Sequence, residues 1–180
     1  MGDRWYYVAT MTLRQVAHYI RPAKDLDEPE RFKKSIERKV HRQRVNQISN
    51  RLRLDAQRFL GAIVVGVYGG EPEWLPVEVE GCLPTEDVHL GEREAHSFGF
   101  IRRTGGEAMF AIDGQQRLEG SREALRARPG LGAEEQTVSL VAHRPDAEGR
   151  RRTKRLFSAL HAPRQPNRSA LCSSISGPRQ

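Results

Sequence analysis

Cysteine is scarce in this chain: of 180 residues only Cys82 and Cys172 carry thiols. They lie far apart, match no metal-ligand or redox spacing and build no disulfide framework, so a reducing compartment is expected. Cys82 has no basic neighbour close in sequence to activate it as a nucleophile. The six histidines form no H-x-x-x-H pair, so no metal site is expected and each reads as a structural or surface residue. Long apolar runs are absent too. The longest, AIVVGVY at 62–68, falls far short of the roughly 20 residues that cross a bilayer. The opening MGDRWYYVAT lacks the basic and apolar regions of a secretory signal, and Tyr6 stands where N-myristoylation needs Ser or Thr. A soluble, cytoplasmic protein without membrane contact is the expectation.

Acid is missing from one end. After Glu148 there are eight basic residues and no carboxylate, whereas residues 1–148 hold 22 basic and 23 acidic residues, so the net charge of +7 is local. A second basic block, residues 31–58, sets ten Lys/Arg against Glu37 and Asp55. Such blocks suit a nucleic-acid backbone, since each cation that meets a phosphate releases a counterion. They suit a solvated helix face and a basic tail equally well.

What remains is patterned as a small α+β (mixed α/β) domain. WYYVATM reads as a strand, and Thr12 caps a helix over LRQVAHYI. RPAKDLDEPE is a loop. Phe32, Ile36, Val40, Val45, Ile48 and Leu52 mark one narrow apolar stripe on a long basic helix, broken at most once. FLGAIVVGVYGG is a buried strand and EWLPVEVEG a shorter, alternating one with Leu75, Val77 and Val79 on one side. FGFIRRTGGEAMFAID reads as a hairpin turning at Thr104-Gly105-Gly106. QQRLEGSREALRAR is a helix, QTVSLVAH a strand and RRRTKRLFSAL a last helix. Alternating strands and helices with a hairpin mixed in suggest a mixed sheet flanked by helices. From His161 onward the chain has prolines, serines and no apolar period, so the organised domain is set at 1–160 and residues 161–180 at a disordered or out-of-frame basic tail.

One stretch carries chemistry: FAIDGQQRLEG at 110–120. Read as architecture, Asp113 is an N-cap, Gln116 completes a D-x-x-Q capping box and Gly114 eases the turn. That account leaves Gln115 and Arg117 unexplained. Read as a site, a strand ending in Asp-Gly and opening a helix presents backbone N–H groups and the positive end of the helix dipole to an anion. Gly114 then lets a phosphate approach, Arg117 clamps it, Gln115 and Gln116 hold a base, ribose or water, and Asp113 orients a metal or an attacking water.

QRVNQI, FLGAIVVGVYGG, FAIDGQQRLEG, SLVAH and RTKRLFSAL, in that order, resemble the DGQHR-domain proteins, a family that includes the DndB proteins associated with bacterial DNA phosphorothioation. The resemblance runs from about Trp5 to Leu160, anchored on residues 113–117 and on Arg152, Thr153, Arg155, Leu156 and Phe157. It implies a ParB/sulfiredoxin-like fold with the strand–turn–helix beside a nucleotide, and related DGQQR-bearing domains of restriction proteins hydrolyse nucleoside triphosphates. Asp113 and Gln115 are then the catalytic candidates, and Gly114, Gln116, Arg117, Arg44 and Arg155 the nucleotide-binding ones. ATP or GTP with Mg2+ is the implied cofactor, with DNA and other modification-system proteins as partners. Two departures stand out. Gln116 replaces the family's histidine, and His161 stands where the family continues with Asn and a Lys-Pro, which suggests a truncated or frameshifted member. A non-enzymatic DNA-binding regulator of the modification operon, or an inactive fragment, are the alternative readings.

Overall fold

A computed structural model of the chain describes residues 6–26, 28–36, 40–77 and 97–162. Seven strands and five α-helices alternate along them: β1 (Tyr6–Thr12), α1 (Leu13–Tyr19), β2 (Ile20–Arg21), α2 (Glu30–Ile36), α3 (Arg42–Leu54), β3 (Ile63–Tyr68), β4 (Glu73–Pro76), β5 (Gly99–Arg102), β6 (Ala108–Asp113), α4 (Gln115–Ala127), β7 (Glu135–Ala142) and α5 (Ala147–His161). Short 3-10 turns at Ala23–Asp25 and Pro129–Ala133 fill two of the connections.

The main sheet has the order β1-β7-β3-β6-β2. It is mixed: β1 runs antiparallel to β7, β7 parallel to β3, β3 antiparallel to β6, and β6 parallel to β2. Helices cover both faces, so β3 and β6 as far as Ile112 are apolar on both sides rather than on alternate residues. Along β6, Met109 and Ala111 face one way, into a cluster with Val16, Ile20, Ile63, Val65, Leu118 and Val138. Phe110 and Ile112 face the other way, against Phe32 and Ile36 of α2 and Leu156 and Phe157 of α5. α1, α3 and α4 thus form one layer and α2 with α5 the other. A third cluster (Leu13, Ile48, Leu52, Ala124, Leu131) binds α1, α3 and α4 to one another. α3 and α4 come close because Gly120 has no side chain: a Cβ there would stand 2.5 Å from Ile48 Cγ2.

The expected mixed α/β domain is present, and so is the cap on α1. Gln15 N donates to Thr12 Oγ1 at 3.2 Å and Thr12 N to Gln15 Oε1 at 2.8 Å, a reciprocal box that contributes about 1 kcal/mol. The long basic helix carries the one break the sequence allowed, and the two helices it yields, α2 and α3, pack in different layers. Two expectations need correction. Val40, expected on the apolar stripe, is 46 % exposed. The hairpin is the second. β5 and β6 do not pair with each other: β5 pairs with β4 in a separate two-stranded sheet, while β6 joins β3 and β2. The Thr104–Gly106 turn is real, but a carboxylate closes it instead of a ladder. Glu107 accepts from Thr104 N (2.7 Å), Thr104 Oγ1 (2.8 Å) and Gly105 N (2.9 Å), bonds led by Thr104 N that hold its carboxyl down to about 2. Val79, Cys82, Cys172 and the tail beyond Ala162 lie outside the described residues.

The α2–α5 layer is tied down by a buried polar group. His143, at the end of β7, stacks on Phe32 and meets the Tyr68 and Phe110 rings edge-on. Its Nδ1 lies 2.7 Å from Thr153 Oγ1 and its Nε2 3.3 Å from Glu28 Oε1; Arg150 donates to the other Glu28 oxygen at 3.1 Å. A neutral ring protonated on Nε2 satisfies both neighbours, donating to Glu28 and accepting the threonine hydroxyl. This explains the threonine in RTKRLF: it faces inward. Burial pushes the His143 pKa down, outweighing the hydrogen bond and charge of Glu28, with Arg150 also lowering it and Asp146 raising it. A lowered folded-state pKa means that below about pH 6.5 the unfolded chain takes up a proton that the native ring resists. Stability is therefore full above that pH and declines as pH falls through it. Urea unfolding at pH 5.5 and 7.5 should show the loss in the parent and a flatter dependence in His143→Gln. Thr153→Val should cost about 1–3 kcal/mol at pH 7.5, the penalty for stranding a buried polar atom.

Candidate functional site

The DGQQR segment is where β6 leaves the sheet and α4 begins. Gly114 takes φ 84° and ψ 20°, a left-handed conformation that glycine reaches without strain, and it is the N-cap of α4. The capping box expected of Asp113 and Gln116 is not formed. An ion pair across one helical turn takes its place: Arg117 Nη2 donates to Asp113 Oδ2 at 2.9 Å and to the Ala62 carbonyl, just before β3, also at 2.9 Å. The guanidinium lies against Gly114, where a Cβ would sit 3.0 Å from its Nε and Nη2. Gln115 is buried, and its Nε2 donates to Ile36 O at 2.9 Å and Ala111 O at 3.3 Å, joining α4 to the end of α2. Asp113, Gly114, Gln115 and Arg117 thus build the turn.

A cavity of about 360 Å³ opens above it, within the size range of small-molecule sites. Gly114 and Gln116 form its floor, and α3 forms one wall through Arg44, Gln47 and Arg51, three side chains at helical spacing. Arg44 Nη1 donates to Gln47 Oε1 at 3.3 Å, and Arg51 Nε lies 3.5 Å from Asp55 Oδ2; both arginines are exposed. His161, the last residue of α5, forms part of the opposite wall. Its Nε2 stands 3.2 Å from Asp113 Oδ1 and its Nδ1 2.8 Å from Phe157 O. Phe59 stands at the rim.

Of the expected site residues, the structure brings Asp113, Gly114, Gln115, Gln116, Arg117 and Arg44 to this cavity. Arg155 is not among its lining residues; it is exposed on α5. Arg117 is present but engaged, since clamping a phosphate through Nη2 would take it from Asp113 and Ala62. Arg51, Gln47, Phe59 and His161 were missed. Arg51 follows Arg44 by two helical turns, a signal the sequence does carry. His161 was singled out only as a departure from the family's Asn, and was otherwise assigned to a patternless tail. The balance of charge is cationic: Arg44, Arg51 and the α4 N-terminus surround a carboxylate already paired with Arg117, which favours an anion. A protein-held Mg2+ does not fit this donor set: Asp113 Oδ2 is bonded to Arg117, and among the described residues no three His, Cys, Asp or Glu side chains cluster for a metal.

The sequence model of the DndB family, described as DNA-sulfur modification-associated, matches residues 1–173. The chain belongs to the DndB family. The match passes Leu160, where the resemblance read from motifs ended, and continues into the segment taken for a tail. No curated protein and no solved structure matches the chain. Among the described residues of this DndB-family chain no helix is long and apolar enough to cross a membrane. The turn itself can be tested. Gly114→Ala must hold an L-residue at φ 84° and press on Arg117, so it should destabilise by more than about 1 kcal/mol in urea unfolding. Unchanged stability would mean the turn forms some other way.

Proposed function

We propose that the cavity binds the phosphate groups of a nucleotide, ATP or GTP being the natural probes, in a DndB-family component of a DNA-modification system in the cytoplasm. The observation that carries this is the wall of α3, where Arg44 and Arg51 stand exposed over the N-terminus of α4. The family resemblance supports it, and so does the strand–turn–helix at the site, the feature a ParB/sulfiredoxin-like fold would supply. Binding is better supported than hydrolysis. Asp113 and Gln115, the residues expected to handle water, have Oδ2 and the amide nitrogen committed to the turn, to Arg117 and to the Ile36 and Ala111 carbonyls. Any Mg2+ would come with the phosphates. Because Arg117 builds the turn, the clean variant is Arg44→Ala/Arg51→Ala, two exposed positions whose loss should leave stability within roughly 0.5 kcal/mol each. Thermal unfolding with millimolar nucleotide and Mg2+ should raise the parent midpoint by several degrees, as expected at about 100 times the dissociation constant, and leave the double variant unshifted. No shift in the parent sinks the reading.

A second reading, DNA binding, has its own observation. α2 packs beside α5, which joins parts of the two basic blocks on one face. Lys33 pairs with Glu30, and Arg151 and Arg152 with Glu148, but Arg31, Lys34, Lys154 and Arg155 are exposed and make no ion pair among the described residues. The rest of the first block, on α3, lies in the other layer. Replacing those four cations with alanine should flatten the dependence of log affinity for duplex DNA on log salt by about 0.9 for each phosphate no longer neutralised. An unchanged slope moves the DNA surface elsewhere. A promoter fragment bound far better than random duplex at physiological salt would favour the regulator.

A further inference from the structure

Most residues of the segment between α3 and β3 are held, but not Phe59. Arg58 donates to both carboxylate oxygens of Glu134 and to Asp55 O at 2.8 Å. Leu60 packs against the Leu13, Ile48 and Leu52 cluster. The Gly61 carbonyl accepts from Gln136 Nε2 at 3.1 Å, and the Ala62 carbonyl accepts from Arg117. Phe59, in the middle of this pinned backbone, is 78 % exposed at the rim of the cation-lined cavity. An aromatic ring left in water on a fixed main chain, beside two arginines and a glutamine, has the composition of a stacking platform: a π-face for a base and cations for the phosphates that follow it.

We propose that Phe59 stacks on the base of the bound nucleotide, so that the cavity takes a nucleoside polyphosphate and not a bare anion. This rests on the phosphate-binding reading above. Phosphates lie toward Arg44, Arg51 and the start of α4, and the base lies out at the rim. Stacking uses the π-face that every base has, so ATP, GTP and CTP bind within a few-fold of one another. Phe59 carries no bond that holds the fold, which makes it a usable variant.

The experiment is titration calorimetry of the full chain with ATP, CTP and inorganic tripolyphosphate, on the parent, Phe59→Leu, Phe59→Trp and Arg44→Ala/Arg51→Ala. The parent binds ATP about ten-fold or more tightly than tripolyphosphate, in line with the contribution of one stacked base. Phe59→Leu loses that preference while keeping its tripolyphosphate affinity, and Phe59→Trp retains it. Emission of the indole introduced by Phe59→Trp, corrected for the parent's tryptophans, is quenched by ATP and not by tripolyphosphate. Equal affinity of the parent for ATP and tripolyphosphate, or an ATP preference that survives Phe59→Leu, overturns the stacking role and leaves phosphate binding standing. If neither ligand binds the parent, the phosphate-binding reading itself falls.

Discussion

One guanidinium holds the site together. Arg117 reaches back along α4 to the carboxylate of Asp113 and sideways to the carbonyl of Ala62, so it joins the end of β6 to the entry of β3. As a partly exposed ion pair it contributes at most about 1 kcal/mol. Its geometric effect is larger. It fixes the direction in which α4 leaves the sheet, and it requires Gly114 to be bare, since a methyl there would meet the guanidinium. Gln115 adds the third tie, to the end of α2. The floor of the cavity, the approach of α3 and the placement of His161 all depend on that turn.

The signature segment thus divides its labour unlike a simple binding loop. Most of its polar atoms face inward and make a rigid frame, while the groups that face the cavity openly come from elsewhere, chiefly from α3 and the segment after it. The same division recurs at RTKRLF, where Thr153 meets the buried His143 and Leu156 and Phe157 pack on the sheet, leaving the cations of that motif in solvent. Recurring polar residues in this chain are largely structural, and the chemistry lies next to them.

This explains what the sequence could show. Local signals were legible: the Thr12 cap, the buried β3 and β6 runs and the long helix α4 need only neighbours in sequence. The hairpin was misread because alternation in β5 looks the same whichever strand it pairs with, and its partner β4 lies on the far side of residues 77–98 in sequence. A break in the long basic helix was allowed for, but nothing local shows that it sends α2 and α3 to opposite faces of the sheet. Gln115 and Arg58 could not be placed, since their partners Ile36 and Glu134 are 79 and 76 residues away. A cavity does open at the DGQQR turn, but its walls are tertiary.

α5 links two parts of the molecule that would otherwise be separate. Its first turns are anchored through Arg150 and Thr153 to the buried Glu28–His143 pair, and its last residue touches Asp113 at the cavity. At about 1.5 Å per residue, its 15 residues make a rod of roughly 22 Å. Lys154 and Arg155 ride on that rod between the two anchorages. The basic face and the cavity therefore share one lever arm, and its set at one end determines where its charges stand along the rest.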